Sequence, residues 1–305
     1  MIKPSLKVNI CGIEFNNPVI AASGTFGFGR EYSEFYPLSL LGGISTKGTT
    51  LKYRAGNLTP RIAETASGML NAVGLQNPGV DAFIEKELPF LRASGTRIIA
   101  NIAGNTPEDY MAIAERLNGK VDMIEMNISC PNVKVGGIAF GILPESVNSI
   151  TRAVKAYCTL TPLIVKLSPN VASISENAKA AAEGGADCIS LVNTFTGMAI
   201  DIKKRRPLLS NITGGLSGPC IKPIALRMVY EACKAVKIPV IGMGGIMTAS
   251  DAVEFLLVGA QAVQVGTANI SNPLAIPQII EGLERYLAEN KINDINELIG
   301  GLLTD

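Results

Sequence analysis

The sequence contains no histidine. The side chain most often used as a general acid or base near neutral pH is therefore missing, and so is the commonest metal ligand. A Cys–His nucleophile pair is excluded on the same ground. Six cysteines are present, Cys11, Cys130, Cys158, Cys188, Cys220 and Cys233, and none forms a C-x-x-C pair. That spacing argues against a zinc site or an iron–sulfur cluster held within this chain, so no metal is expected. Charge is scarce too: charged residues make up 17% and the formal net charge is +1. This lacks the basic footprint of a nucleic-acid binder. No run of about 18 apolar residues offers a membrane span. Residues 1–15 alternate apolar and polar side chains and lack the apolar centre of a signal peptide. A cytoplasmic protein with reduced thiols is expected, with neither membrane nor nucleic acid as a partner.

What is abundant is apolar surface and glycine. Hydrophobic residues reach 47% of 305, enough to fill a large core, and 31 glycines point to many tight turns and close backbone approaches. Eight short apolar runs, at 19–23, 43–46, 97–102, 123–127, 163–167, 188–193, 240–243 and 262–266, mostly end in Gly, Ser, Thr or Asn. Most lack strict alternation, as parallel strands buried on both faces do. Helical patterns lie between them. Thr106-Pro107-Glu108-Asp109 reads as an N-cap, a proline at the first position and acids in the first turn. Ser173–Glu176 reads as a capping box, closed by Gly184-Gly185, and Thr248–Asp251 as a similar start.

Eight β-then-α units predict an α/β fold, a (β/α)8 TIM barrel in which residues 1–305 form a single domain. A doubly wound sheet is the structural alternative, but Gly24-Thr25-Phe26-Gly27-Phe28-Gly29 has the wrong order for a dinucleotide fingerprint. An N-terminal β-hairpin, at 6–8 and 13–15, would plug the barrel bottom. Long loops after strands two (49–96), four (130–144) and six (194–239) would rise from the C-terminal face, where barrel active sites sit.

Polar residues collect at those strand ends. Strand two runs into Ser45-Thr46-Lys47-Gly48, strand three carries Asn101, and strand four runs into Asn127-Ile128-Ser129-Cys130-Pro131-Asn132. Strand five carries Lys166, and strand six ends Val192-Asn193-Thr194. A lone lysine in an apolar strand can simply snorkel. Two lysines and several asparagines at one end of a barrel need polar partners, and a polar ligand supplies them. Strands seven and eight end in Gly242-Met243-Gly244-Gly245 and Gly266-Thr267. Such turns can be plain turn glycines, but as a pair they favour a phosphorylated cofactor held by backbone N–H groups. Cys130 has polar neighbours and a catalytic position, unlike the other five cysteines, which read as small buried hydrophobes. Acting alone as a proton acceptor, with a reference pKa of about 8.5, it would make activity rise with pH.

These residues resemble the class 1 dihydroorotate dehydrogenases, and the likeness spans nearly the whole chain. Its most specific pieces are Ser45–Gly48, Asn71-Ala72-Val73-Gly74-Leu75-Gln76-Asn77-Pro78-Gly79, Asn127–Asn132, Gly242-Met243-Gly244-Gly245-Ile246 and Val263-Gln264-Val265-Gly266-Thr267, in barrel-consistent order. The resemblance implies oxidation of dihydroorotate to orotate in pyrimidine (UMP) biosynthesis, with FMN as hydride acceptor and Cys130 as catalytic base. It implies that Lys47 meets the substrate carboxylate and the flavin, and that Asn71, Ala72, Val73, Gly74 and Leu75 form a substrate loop. Asn71, Asn127, Asn193 and Thr194 would hydrogen-bond the pyrimidine, with Asn132 a further candidate. Ser23, Gly48, Asn101, Asn127 and Val192 would line the flavin, and Lys166 would face its pyrimidine end. Gly218, Gly244, Gly245, Gly266 and Thr267 would hold the phosphate region.

Within the family, Cys130 points away from the membrane-associated group, which uses serine. The loop from Asn71 to Gly79 resembles the NAD-linked class 1B, where the fumarate-linked class 1A shows Met-Gly-Leu-Pro-Asn. The implied partner is an electron-transfer subunit carrying FAD and a [2Fe–2S] cluster, with a homodimer of catalytic chains inside a heterotetramer. Dihydropyrimidine dehydrogenase-like enzymes and tRNA dihydrouridine synthases share the flavin barrel and the cysteine. The former carry His after Cys-Pro where Asn132 stands here, and the latter suit a more basic chain. A non-catalytic phosphate-binding barrel is the reading from another class.

Overall fold

The computed structural model describes residues 3–129 and 138–304. Its strands, in chain order, are β1 (Val8–Ile10), β2 (Ile13–Phe15), β3 (Val19–Ala21), β4 (Gly43–Ser45), β5 (Ile62–Thr65), β6 (Gly68–Asn71), β7 (Arg97–Ile102), β8 (Met123–Asn127), β9 (Leu163–Lys166), β10 (Cys188–Leu191), β11 (Phe195–Met198), β12 (Ile200–Asp201), β13 (Arg206–Pro207), β14 (Thr213–Ser217), β15 (Val240–Met243) and β16 (Ala262–Val265). Eight of them close a parallel barrel in the order β3-β4-β7-β8-β9-β10-β15-β16, with β16 returning to β3. These are the eight runs expected from the sequence, each trimmed by at most two residues at its end. Helices cover the outer face, so every barrel residue except Arg97 is buried. Double-sided burial explains why the runs read as continuously apolar rather than alternating.

The hairpin β1–β2 sits at the N-terminal end of the barrel. Phe15 packs beside Gly43 at the start of β4, and Arg97 Nε of β7 donates to the Glu14 carbonyl at 2.8 Å. Its first strand is Val8–Ile10 rather than the expected 6–8. The turn decides the register: Cys11 and Gly12 both have positive φ, at 54° and 83°, which makes the two-residue turn that suits a twisted hairpin. Ile10 therefore pairs with Ile13.

The caps follow the sequence with one change. Thr106 accepts from Asp109 N, and Ser173 accepts from Glu176 N, each starting its helix. Glu176 does not complete a box; its carboxylate pairs with Lys179 at 3.0 Å on the exposed face. The reciprocal pair forms instead at Thr248 and Asp251. Two of the long loops carry structure the sequence had not announced. β5 and β6 from the first, and β11 and β14 from the third, build a four-stranded antiparallel sheet in the order β11-β14-β6-β5 over the C-terminal end of the barrel. Glycine-rich β14 and the half-exposed β5 lack the apolar runs that mark a strand.

Acids at the barrel bottom tie neighbouring strands together. Asp122 accepts from Ile98 N at 2.8 Å, and Asp187 from Leu163 N at 2.7 Å while pairing with Lys155 at 2.6 Å. Each carboxylate lies just before one strand and satisfies the first buried N–H of the strand beside it. Asp187→Ala leaves the Leu163 N–H without its acceptor and should lower unfolding stability by about 1–3 kcal/mol. Urea unfolding checks this: the midpoint should fall with the m-value unchanged, and an unmoved midpoint would show the tie to be dispensable.

Candidate active site

The C-terminal ends of the barrel strands and the sheet above them enclose a cavity of about 1220 Å³, open mouth included. The strand ends supply Ser23, Lys47, Gly48, Asn127, Lys166, Val192, Asn193 and Thr194. Gly244 and Gly245 after β15, and Gly266 and Thr267 after β16, form the opposite wall. The sheet and its loops roof it with Asn71, Val73, Gly74, Leu75 and Gly218. Residues up to 248 positions apart in sequence, from Ala22 to Ile270, thus share one space. Two of the residues singled out from the sequence do not line it. Ala72 is buried beside Leu70 and Leu209, because the loop turns its methyl group away from the cavity. Asn101 lies beneath the lining, fully buried. Cys130, Pro131 and Asn132 lie outside the described residues.

Sequence reasoning overlooked the floor. Glu125, in the middle of β8, is a fully buried carboxylate inside the barrel. Its Oε2 accepts from Ser45 Oγ at 2.7 Å and Asn101 Nδ2 at 2.6 Å. Its Oε1 accepts from Ser190 Oγ at 2.8 Å and Gln264 Nε2 at 2.7 Å. Lys166 Nζ lies 3.9 Å from Oε2. Burial works against the charge, but the Lys166 ammonium and the hydrogen bonds from Ser45, Ser190 and Gln264 outweigh it and hold the carboxyl below its usual pKa. Gln264 and Lys166 also line the cavity. The signal was a lone acid in one buried strand next to a lone lysine in the following one.

The asparagines are held by one another. Asn127 Oδ1 accepts from Ser129 N at 3.2 Å, Ser129 Oγ at 3.1 Å and Asn193 Nδ2 at 3.4 Å. Asn193 Nδ2 also reaches Ser129 Oγ at 2.8 Å, and its Oδ1 accepts from Thr194 N at 2.8 Å. Asn71 Nδ2 donates to the Gly215 carbonyl at 3.3 Å, which ties β6 to β14. The loop after β6 carries Leu75 at φ 57°, a left-handed conformation that is strained for leucine. Asn77 secures it, donating to the Leu75 carbonyl at 2.7 Å and accepting from Gly79 N at 2.9 Å.

The glycine wall has two kinds of member. Gly244 has φ 125°, and a Cβ there would lie 2.6 Å from the Ala225 methyl, so the fold itself requires glycine. Gly266 is different: a Cβ would meet nothing closer than Ala22 Cβ at 3.6 Å, an ordinary contact. The fold does not need glycine there. Among the described residues, the backbone N–H groups of Gly244, Gly245, Gly266 and Thr267 donate to no protein acceptor. Four unpaired donors on one wall suit an anion.

Of the other five cysteines, Cys158 and Cys188 are buried, Cys11 and Cys233 half-buried. Burial pushes the Cys158 and Cys233 thiols up to about 12 and the Cys188 thiol well above its ordinary value. They behave as packing residues. Cys220 is exposed, contrary to the expectation from sequence, because the short turn Pro219–Ile221 buries Ile221 instead.

No described helix is long and apolar enough to cross a membrane, and no cluster of acids and cysteines among the described residues could hold a metal ion. Residues 5–287 match the family model for dihydroorotate dehydrogenase. The dihydroorotate dehydrogenase B (NAD(+)) catalytic subunit of Geobacter sulfurreducens is 59% identical over 304 residues, covering 99% of both chains. That of Geotalea uraniireducens is 57% identical over 306 residues, covering 100% of both, and that of Petrotoga mobilis 58% over 295 residues, covering 96% of this chain and 98% of the relative. The crystal structure of DHODH from Eimeria tenella in complex with ferulenol shares the fold, with a TM-score of 0.83 at 24% identity over 97% of this chain and 88% of that one. On the extent of these matches, the chain belongs to the dihydroorotate dehydrogenase family.

Proposed function

We propose that this chain is the catalytic subunit of an NAD-linked dihydroorotate dehydrogenase, oxidising dihydroorotate to orotate in pyrimidine biosynthesis with FMN as its cofactor. The observation that carries the reading is one cavity holding two lysines, several neutral amides and a wall of unpaired backbone N–H groups. The family is flavin-dependent, and the relatives that match over full length are named as NAD(+) catalytic subunits. The donor set fits FMN: the N–H groups of Gly244, Gly245, Gly266 and Thr267 suit a phosphate, and the space beside Gly266 leaves room for it.

The mechanism joins the lining to the sequence reading of Cys130. FMN held by the N–H groups of Gly244, Gly245, Gly266 and Thr267 would supply the hydride acceptor. Cys130 takes the proton from the adjacent ring carbon, so that proton and hydride leave neighbouring carbons and a ring double bond remains. Lys47 supplies the cation that a ring carboxylate calls for, and Asn71, Asn127 and Asn193 present the neutral donors and acceptors that match alternating ring N–H and C=O groups. With no dinucleotide fingerprint or cysteine cluster, this chain needs a separate subunit, carrying FAD and a [2Fe–2S] cluster, to reach NAD. The reading places a homodimer of such chains within a heterotetramer, in the cytoplasm. A fumarate-linked enzyme is the second reading; the loop sequence Asn71–Gly79 favours the first.

Purified alone, the chain should show a flavin spectrum, be bleached by dihydroorotate, and pass electrons to an artificial dye but not to NAD. Bleaching by dihydrouracil instead, or fast reduction of fumarate, would defeat the assignment. Cys130→Ala should keep its flavin yet slow bleaching by about 10² to 10⁴, the range for losing a general base. Cys130→Ser should be slow as well, because a hydroxyl without a helper is a poor base. Near-normal bleaching of Cys130→Ala would assign the proton to another group. Gly266→Val fills the space beside Gly266 and should weaken FMN binding at least about tenfold while the apo-protein melts as wild type does. Equal affinity in a flavin titration would place the phosphate elsewhere.

A further inference from the structure

We infer that Glu125 is a positioning residue for the flavin: it turns the Gln264 carbonyl oxygen toward the cavity and offsets the Lys166 charge beneath it. The inference rests on the FMN reading above. Six of the eight barrel strands meet at this carboxylate: β8 supplies it, β4, β7, β10 and β16 supply donors, and β9 supplies Lys166. An ionised carboxylate only accepts hydrogen bonds. Gln264 and Asn101 must therefore turn their NH₂ groups to it, and their carbonyl oxygens away. Both oxygens, Gln264 Oε1 and Asn101 Oδ1, are buried without a protein partner. A buried carbonyl left that way is unfavourable until a donor arrives. Gln264 lines the cavity, so its oxygen is available to a ring N–H of a ligand. The Asn101 oxygen lies over Gly48, where a Cβ would sit 2.9 Å from it.

A glutamine at position 125 would remove both effects. Its own NH₂ could donate to Gln264 Oε1 and let that amide reverse, and Lys166 would face the cavity with its charge undiminished. Since positive charge favours the anionic reduced flavin, Glu125 holds the midpoint potential below the value Lys166 alone would set. A purely structural role for Glu125 would change stability and leave the potential where it was.

The test is a spectroelectrochemical titration of the FMN-loaded protein, with the melting temperature of the apo-protein measured alongside. Glu125→Gln should shift the preference for reduced over oxidised flavin on the order of tenfold toward reduced, the effect of removing one nearby charge that its hydrogen bonds and Lys166 partly offset. For a two-electron couple that is about 30 mV more positive. Glu125→Asp, which keeps the charge, should stay close to wild type. A folded Glu125→Gln with flavin bound and its potential unmoved overturns the inference. If Glu125→Gln does not fold, Lys166→Met is compared with the Glu125→Gln/Lys166→Met pair, in which no buried charge is left unpaired. The double variant should have the higher potential, and equal potentials overturn the inference just as firmly. Wild-type protein that holds no flavin defeats the underlying FMN reading, and its spectrum tells the two failures apart.

Discussion

A full negative charge inside a protein is tolerated only when its surroundings supply the donors that water would. Glu125 meets that condition by drawing on strands that are far apart in sequence, from Ser45 to Gln264. Its donors sit in register only if the barrel is closed and each strand is at its observed height. The carboxylate thus depends on barrel closure and makes one arrangement of the strands far better than a slipped one, since a one-residue slip of any donor strand would turn its donor to the outer face. Below it the barrel interior is filled by inward-facing apolar side chains such as Ile99, Met123 and Ala262; above it lie the cavity and its polar lining. The layer it organises divides the part of the barrel that stabilises from the part that binds.

The barrel was legible because its strands obey a local rule. Residues buried on both faces must be apolar, and a strand that hands over to a loop at a polar site ends in Ser, Asn or Gly, so 123–127, closing on Asn127, could be bounded to the residue. Local rules failed where the outcome depends on distant partners. The hairpin register was set by the positive φ of Cys11, which no apolar pattern records. The β6–β14 pairing joins segments about 145 positions apart and relies on glycines with no side chain to announce a strand. Glu125 escaped for the same reason. In the run Met123–Asn127 it looks like one polar residue in an alternating strand, and its partners come from five other strands.

The glycines of the wall show why type alone is a poor guide to role. Gly244 and Gly266 look alike in sequence, each following a β-strand into a turn. Gly244 is required by its backbone angle and by the Ala225 methyl; Gly266 is required by neither. Selection for a fold explains the first and leaves the second to whatever occupies the space. A residue that packing does not explain, at the end of a barrel strand, directs attention to a ligand more sharply than a strained one does, because strain has a structural use as well.

The amides carry the last step. Asn and Gln are ambiguous as recognition elements, since each can present a donor or an acceptor by turning over. Here their neighbours remove the ambiguity. Ser129 N donates to Asn127 Oδ1, so the oxygen of Asn127 is committed inward and its NH₂ is the end left to present. Glu125 accepts from Gln264 Nε2, so the NH₂ is committed inward and the oxygen is presented. The cavity therefore carries a defined pattern of donor and acceptor without any titrating group in the amide set. In a chain with no histidine, that arrangement separates two tasks that histidine often combines. Under the proposed function, recognition falls to neutral groups whose polarity is set from behind, and proton transfer is left to Cys130, outside the amide set.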